Sequence, residues 1–163
     1  MRDELVLIVS PRHRLALASS VHVKDLEKES IIIEGAPSSL HEKVVDAFRV
    51  HQTPLNVQVT SATIETIKQM VASDVGVGFV PLMCVDREVA RRELAIVPVE
   101  GLHLDRKLWV VRPRSDVHSH AALAFMRVVN SQAEKLEFDQ TTNDELPRPS
   151  AVEVIDFQAR KHG

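Results

Sequence analysis

Leu55-Asn-Val-Gln-Val-Thr-Ser-Ala-Thr-Ile-Glu-Thr-Ile-Lys-Gln-Met-Val-Ala-Ser-Asp-Val-Gly-Val-Gly-Phe-Val-Pro81 holds a strand, a capped helix and a second strand in one unbroken run. Leu55, Val57 and Val59 alternate with Asn56, Gln58 and Thr60, the period-two pattern of a strand with one wetter face, which suits a place near a sheet edge. Thr60, Ser61 and Thr63 are N-cap candidates, and Ile64, Ile67 and Val71 then recur at the spacing of an amphipathic helix. Val77, Phe79 and Val80 make a short apolar strand that Pro81 closes. Two strands joined by a helix predict a parallel βαβ crossover.

The same alternation extends outward. Upstream, Leu5 to Val9 is a continuous apolar run suited to a strand buried on both faces, and Ile31 to Ile33 is a second, with a short helical piece near Lys24 to Lys28 between them. Pro37, Ser38 and Ser39 read as a helix start, with Ser38 or Ser39 as N-cap and Glu42 placed for a capping box with Ser39. Leu40, Val44, Ala47 and Phe48 share one face of that helix, which Pro54 is expected to stop. Downstream, a helix is expected from Met83 to Arg92 and a strand from Leu94 to Val97. A further strand from Lys107 to Val111 carries the only tryptophan. His118 to Leu136 reads as a long helix with Ala122, Phe125, Met126 and Val129 on one face. From Glu137 the chain reads as a flexible tail with a short helix near Val152 to Phe157. These elements predict an α/β fold around a mainly parallel sheet.

At 163 residues, 44% hydrophobic and 26% charged, the composition is that of a globular domain. The net charge of -3 supplies no basic field to hold nucleic acid, so direct DNA binding is not expected of this chain. Cys84 is the only cysteine, the apolar runs are too short to span a membrane, and Arg2, Asp3 and Glu4 do not begin a signal peptide. A cytoplasmic location without membrane contact is the expectation.

Gly76 and Gly78 follow a helix and enter a strand, the reverse of a dinucleotide loop. No phosphate-loop, nucleophile-elbow or zinc-hydrolase signature is present, and His118 and His120 are spaced so that their rings do not share a helical face. We therefore expect no catalytic residue, no metal and no cofactor. The informative feature is the pair of strand-to-helix turns Gly35 to Leu40 and Thr60 to Thr63. In a parallel sheet both emerge on one edge, where helix N-termini and the hydroxyls of Ser38, Ser39, Thr60, Ser61 and Thr63 can cradle a small anion. The competing account is that these residues only cap their own helices.

The order of segments resembles the effector-binding domain of LysR-type transcriptional regulators, which share the type II periplasmic-binding-protein fold. The resemblance is carried by Glu4-Leu-Val-Leu-Ile-Val-Ser-Pro-Arg-His-Arg-Leu-Ala16, Val23-Lys-Asp-Leu26, Ile31-Ile-Ile-Glu-Gly35 and Ala62-Thr-Ile-Glu-Thr-Ile-Lys-Gln-Met-Val-Ala72. It continues in Gly76-Val-Gly-Phe-Val-Pro81, Arg106-Lys-Leu-Trp-Val-Val111 and Ala121-Ala-Leu-Ala-Phe125. Two positions depart from it: Arg14 stands where the family usually has proline, and Asp74 where glycine usually ends the helix.

The resemblance implies a hinge strand over 1–10, a complete lobe II over 11–105, and a return hinge strand with the closing helix of an incomplete lobe I over 106–136. A tail over 137–163 follows. It implies that the family's helix-turn-helix and the start of lobe I lie outside this chain, so promoter DNA would be reached only through a segment not present here. A small metabolite is then expected between the lobes, gripped by Ser38, Ser39, Thr60, Ser61 and Thr63 and walled by Phe79, Val80 and Pro81. Its binding would control a homo-oligomer on DNA. Two other readings are a stand-alone solute-binding module of the same fold and a prephenate-dehydratase-like enzyme, for which Thr63 is the available catalytic candidate.

Overall fold

Successive residues of a strand point to opposite faces, and here both faces are apolar. Leu5, Leu7 and Val9 join one buried cluster with Ile31, Ile33, Val77 and Phe79, while Ile8, Ile32 and Val80 join a second. The sheet is therefore covered on both sides. The computed structural model describes residues 2–35, 38–107, 110–113, 119–140 and 154–157.

In chain order the elements are β1 (Arg2–Val9), 3-10 turn Arg14–Leu17, β2 (Val21–His22), 3-10 turn Val23–Leu26, β3 (Ile31–Glu34), α1 (Ser39–Val50) and β4 (Val57–Ser61). Next come α2 (Ile64–Ala72), β5 (Val77–Pro81), 3-10 turn Leu82–Cys84, α3 (Asp86–Ala90), β6 (Ala95–Val97), β7 (Val99–Glu100) and β8 (Asp105–Lys107). The last are β9 (Val110–Pro113), α4 (His120–Gln140) and β10 (Val154–Phe157). The chain divides into two units, Asp3–Arg106 and the remainder.

The larger unit is built on a sheet of order β4-β3-β5-β1-β6, with β8 also paired to β1. β3 is parallel to β4 and β5, as the two helical crossovers demand, whereas β1 is antiparallel to both β5 and β6. Four of the five strands on that path thus run one way, and the expected parallel sheet is interrupted by β1. Only short turns and β2 link β1 to β3, so no crossover helix forces them parallel. β2 pairs with β7 in a separate ribbon.

One face is covered by α1 through Leu40, Val44, Ala47 and Phe48, the four residues of its expected apolar stripe. Phe48 meets Phe79 edge to face, centroids 6.1 Å apart at 87°, a geometry worth about 0.5–1.5 kcal/mol beyond area burial. The other face is covered by α2 and α3. There Ile67 and Val71 press so closely on the sheet that a Cβ on Gly78 would lie 2.9 Å from Ile67 Cγ2. Gly76 is tighter still, 2.3 Å from its ideal Cβ position to the Ser30 carbonyl oxygen. Both glycines serve backbone approach.

Several expectations are corrected. The segment near Lys24 to Lys28 is a 3-10 turn placed slightly earlier. The helix expected over Met83 to Arg92 is broken into a 3-10 turn and the short α3, since Val85 drops into the core between them. α1 ends before Pro54 acts, in a left-handed residue at Gln52. In the smaller unit α4 runs to Gln140, past the expected start of the tail. The expected helix near Val152 to Phe157 is instead β10, parallel to β9, in keeping with the strand preference of Val154, Ile155 and Phe157. Pro37, Leu108, Trp109 and His118, and the tail residues 141–153 and 158–163, lie outside the described residues.

Candidate functional site

Parallel strands deliver their carboxyl ends to one edge, and the register pairs Glu34 with Ser61 there. The Gly35 N–H extends this ladder by one bond, donating to the Ser61 carbonyl at 2.9 Å. Pro81, at the end of β5, is opposite Leu5 of β1. α1 and α2 therefore both start at this edge, on opposite faces of the sheet, each with its positive dipole end toward it.

Ser38 is the N-cap of α1, its hydroxyl accepting from the Leu40 N–H at 3.2 Å, so Ser39 is the first helical residue and the capping box expected with Glu42 does not form. The Ser38 proton goes to Glu34 Oε2 at 2.7 Å. His41 joins the same corner through Nδ1, 2.9 Å from the Glu34 carbonyl. Thr63 is the N-cap of α2. Its Oγ1 accepts from the Thr66 N–H at 3.2 Å and lies 2.8 Å from Thr66 Oγ1. The Ser61 hydroxyl accepts from the Thr63 N–H and donates to the Thr63 carbonyl, both at 3.2 Å. Capping thus occupies Ser38 and Thr63, and Ser61 closes the turn before α2, while Ser39 and Thr60 are exposed at the same edge.

The residues expected as an apolar wall are placed differently. Phe79 is 4% exposed and packs on Phe48 under α1, and Val80 is fully buried on the opposite face. Their side chains belong to the core because they alternate within a central strand covered on both sides. Pro81 is buried at the strand end.

Two charged groups near this edge were not singled out in the sequence. Glu34 places a carboxylate against the α1 N-cap, although in the sequence it is simply the residue that follows Ile31 to Ile33. Lys68, 7% exposed, donates to Glu88 Oε1 at 2.7 Å and to the Cys84 carbonyl at 3.0 Å, and pairs with Glu65 at 2.8 Å. Burial works against its charge, but the hydrogen bonds to Glu65 and Glu88 outweigh that and hold its pKa above the usual lysine value. The Lys68 hydrogen bond in turn lowers Glu88 and Glu65 below the usual carboxylate range. Burial pushes the Cys84 thiol up. The signal for Lys68 was its place four residues after Ile64, inside the apolar stripe. Among the described residues no group of three or more metal-ligating side chains is gathered, and no helix is long and apolar enough to cross a membrane.

Residues 1–134 match the family model of the LysR substrate binding domain. The chain belongs to the LysR substrate-binding family. Among curated relatives of this LysR domain, a probable RuBisCO transcriptional regulator of Synechocystis is 30% identical over 133 residues, covering 80% of this chain and 39% of that protein. The RuBisCO operon transcriptional regulator of Allochromatium vinosum is 27% identical over 136 residues, covering 83% and 45%. The LysR chain thus spans less than half the length of these regulators. Among solved structures, the regulatory domain of Synechocystis CcmR in complex with 2-PG superposes with a TM-score of 0.64 at 22% identity, covering 78% of this chain and 62% of that one. The effector-binding domain of QuiR in complex with shikimate gives 0.59 at 18%, covering 77% and 59%. The α/β fold of type II periplasmic-binding-protein kind is therefore that of LysR regulatory domains.

Proposed function

We propose that this chain is the effector-sensing part of a LysR-type transcriptional regulator and receives a small carboxylate-bearing metabolite at the edge where α1 and α2 begin. The observation that carries the reading is the Glu34–Ser61 register, which brings two helix N-termini to one sheet edge in a chain of this family. Ser39, Thr60 and the α2 turn at Ser61 and Thr63 would contact the anion, beside Pro81. Glu34 would accept from a ligand hydroxyl. Residues 1–10 and 106–136 would supply the hinge strands and closing helix around lobe II at 11–105. The effector would act by favouring one arrangement of a homo-oligomer, reaching promoter DNA through a helix-turn-helix outside this chain, in the cytoplasm.

Calorimetry on the full-length regulator with a panel of small acids tests this, and 2-PG and shikimate, the ligands of the structural neighbours, head the panel. For an acid that binds, Thr63→Val is expected to lose about 1–3 kcal/mol of affinity through a missing hydrogen bond to a charged group. Unchanged affinity in Thr63→Val and Ser39→Ala would leave both residues as parts of helix ends alone.

A further inference from the structure

Asp3 and Arg106 are the first and last residues of the larger unit, so both passages of the chain out of that unit start from them. They are also each other's partner. Arg106 Nε donates to Asp3 Oδ2 at 2.7 Å, with the Asp3 side chain 4% and the Arg106 side chain 20% exposed. The other carboxylate oxygen, Oδ1, accepts the Met83 N–H at 3.3 Å, and Arg106 Nη2 donates to Met83 Sδ at 3.6 Å. Met83 is the middle residue of the 3-10 turn Leu82–Cys84, which directly follows Pro81 at the candidate effector edge. Lys68 of α2 also holds this turn, donating to the Cys84 carbonyl at 3.0 Å. Close by, the Leu5 N–H donates to the Leu104 carbonyl at 3.0 Å, tying β1 to the segment that leads into β8.

A carboxylate this deeply buried is costly to leave unpaired, so Asp3, Arg106 and the Met83 amide stay assembled or come apart together. A three-residue turn anchored at two successive residues has little freedom to shift alone.

We propose that Asp3, Arg106 and Met83 form a clasp that couples the turn after β5 to both chain exits of the larger unit, so that a shift of the effector edge moves the two exits as one. Its functional sense rests on the effector reading above, whereas the clasp itself is testable without any ligand. Asp3 and Arg106 act here as positioning residues.

The experiment is amide hydrogen exchange on the full chain, comparing wild type with Arg106→Gln. Exchange at Leu5 and Met83 is expected to accelerate about tenfold more than at Ile32 in β3 and Phe48 in α1, the mark of a local opening. Equal acceleration at all four amides would make the pair a plain contributor to global stability, and unchanged exchange at Leu5 and Met83 would mean that nothing is clasped. Either result overturns the proposal. Should Arg106→Gln not fold, Asp3→Asn keeps the shape and one acceptor oxygen, and the same comparison applies with the same outcomes. A negative result leaves the effector reading standing, because the calorimetry on Thr63 and Ser39 does not involve the clasp.

Discussion

Gln52, Asp74 and Arg92 have φ of 51°, 61° and 58°, left-handed values that glycine adopts without strain and other residues do not. Each follows the C-cap of a helix and closes it with the same pair of bonds. Asp74 N–H reaches the Val71 carbonyl and Val75 N–H the Met70 carbonyl, with equivalent pairs from Gln52 and Thr53 and from Arg92 and Glu93. Asp74 therefore makes the helix end that glycine usually makes in the family, at some backbone cost. All three side chains are exposed, so replacing them by glycine removes strain and little else. Gln52→Gly and Arg92→Gly are expected to stabilise by about 0.5–1 kcal/mol each, and Asp74→Gly by less because Asp tolerates this region better. Urea midpoints of the three variants check the order. Gly76→Ala is the opposite case: its Cβ would run into the Ser30 carbonyl, which is backbone and cannot swing aside. A loss of roughly 1–3 kcal/mol or more is expected in the same measurement.

Among the elements, α2 carries the most chemistry, since Thr63 opens it, Ile67 and Val71 seat it on the sheet, and Lys68 ties it to α3 and the preceding turn. The sequence showed the first two, because caps and apolar spacing are local signals. It did not show the tie, because Glu88 and the Cys84 carbonyl approach Lys68 only once β5 has been laid against β3. Distance in sequence likewise hid the burial of Phe79 under Phe48, although the alternation of one and the helix of the other are both legible, whereas the Glu34–Ser38 bond is local and matches no capping pattern. Lys68→Met leaves Glu88 and a carbonyl without their donor, and a loss of about 1–3 kcal/mol is expected at neutral pH. The pH dependence has a definite sign. Glu65 and Glu88 are lowered from 4.5, so their contribution is present above that pH and drains away as pH falls through the depressed folded values. Lys68 is raised from 10.5, so its share persists to that pH and is lost only as pH climbs through the higher folded value. Denaturant titrations of wild type and Lys68→Met should therefore converge on acidification below pH 4.5 and again above pH 10.5.

At the scale of the whole molecule, the alternation of strands and helices from β3 to β6 was readable because each crossover is local. The antiparallel entry of β1 and the Asp3–Arg106 pair were not, being contacts between distant parts of the chain. α4 matches the expected position of the long helix, with Leu123, Phe125 and Val128 exposed and Met126 and Val129 half-buried. So many apolar side chains in solvent favour association, and sedimentation at tens of micromolar is expected to show concentration-dependent self-assembly that Phe125→Asp weakens. A strict monomer in wild type would remove homo-oligomer formation through this helix. The place of β1 also bears on how the protein is made. Its apolar run is synthesised well ahead of its partners, since Leu7 finds its neighbours only when Phe79 and Val97 have been made. At about 5–20 residues per second that is a wait of several seconds for a naked Leu-Val-Leu-Ile-Val segment. Nascent β1 is accordingly the stretch that a chaperone acting on the growing chain would be expected to hold.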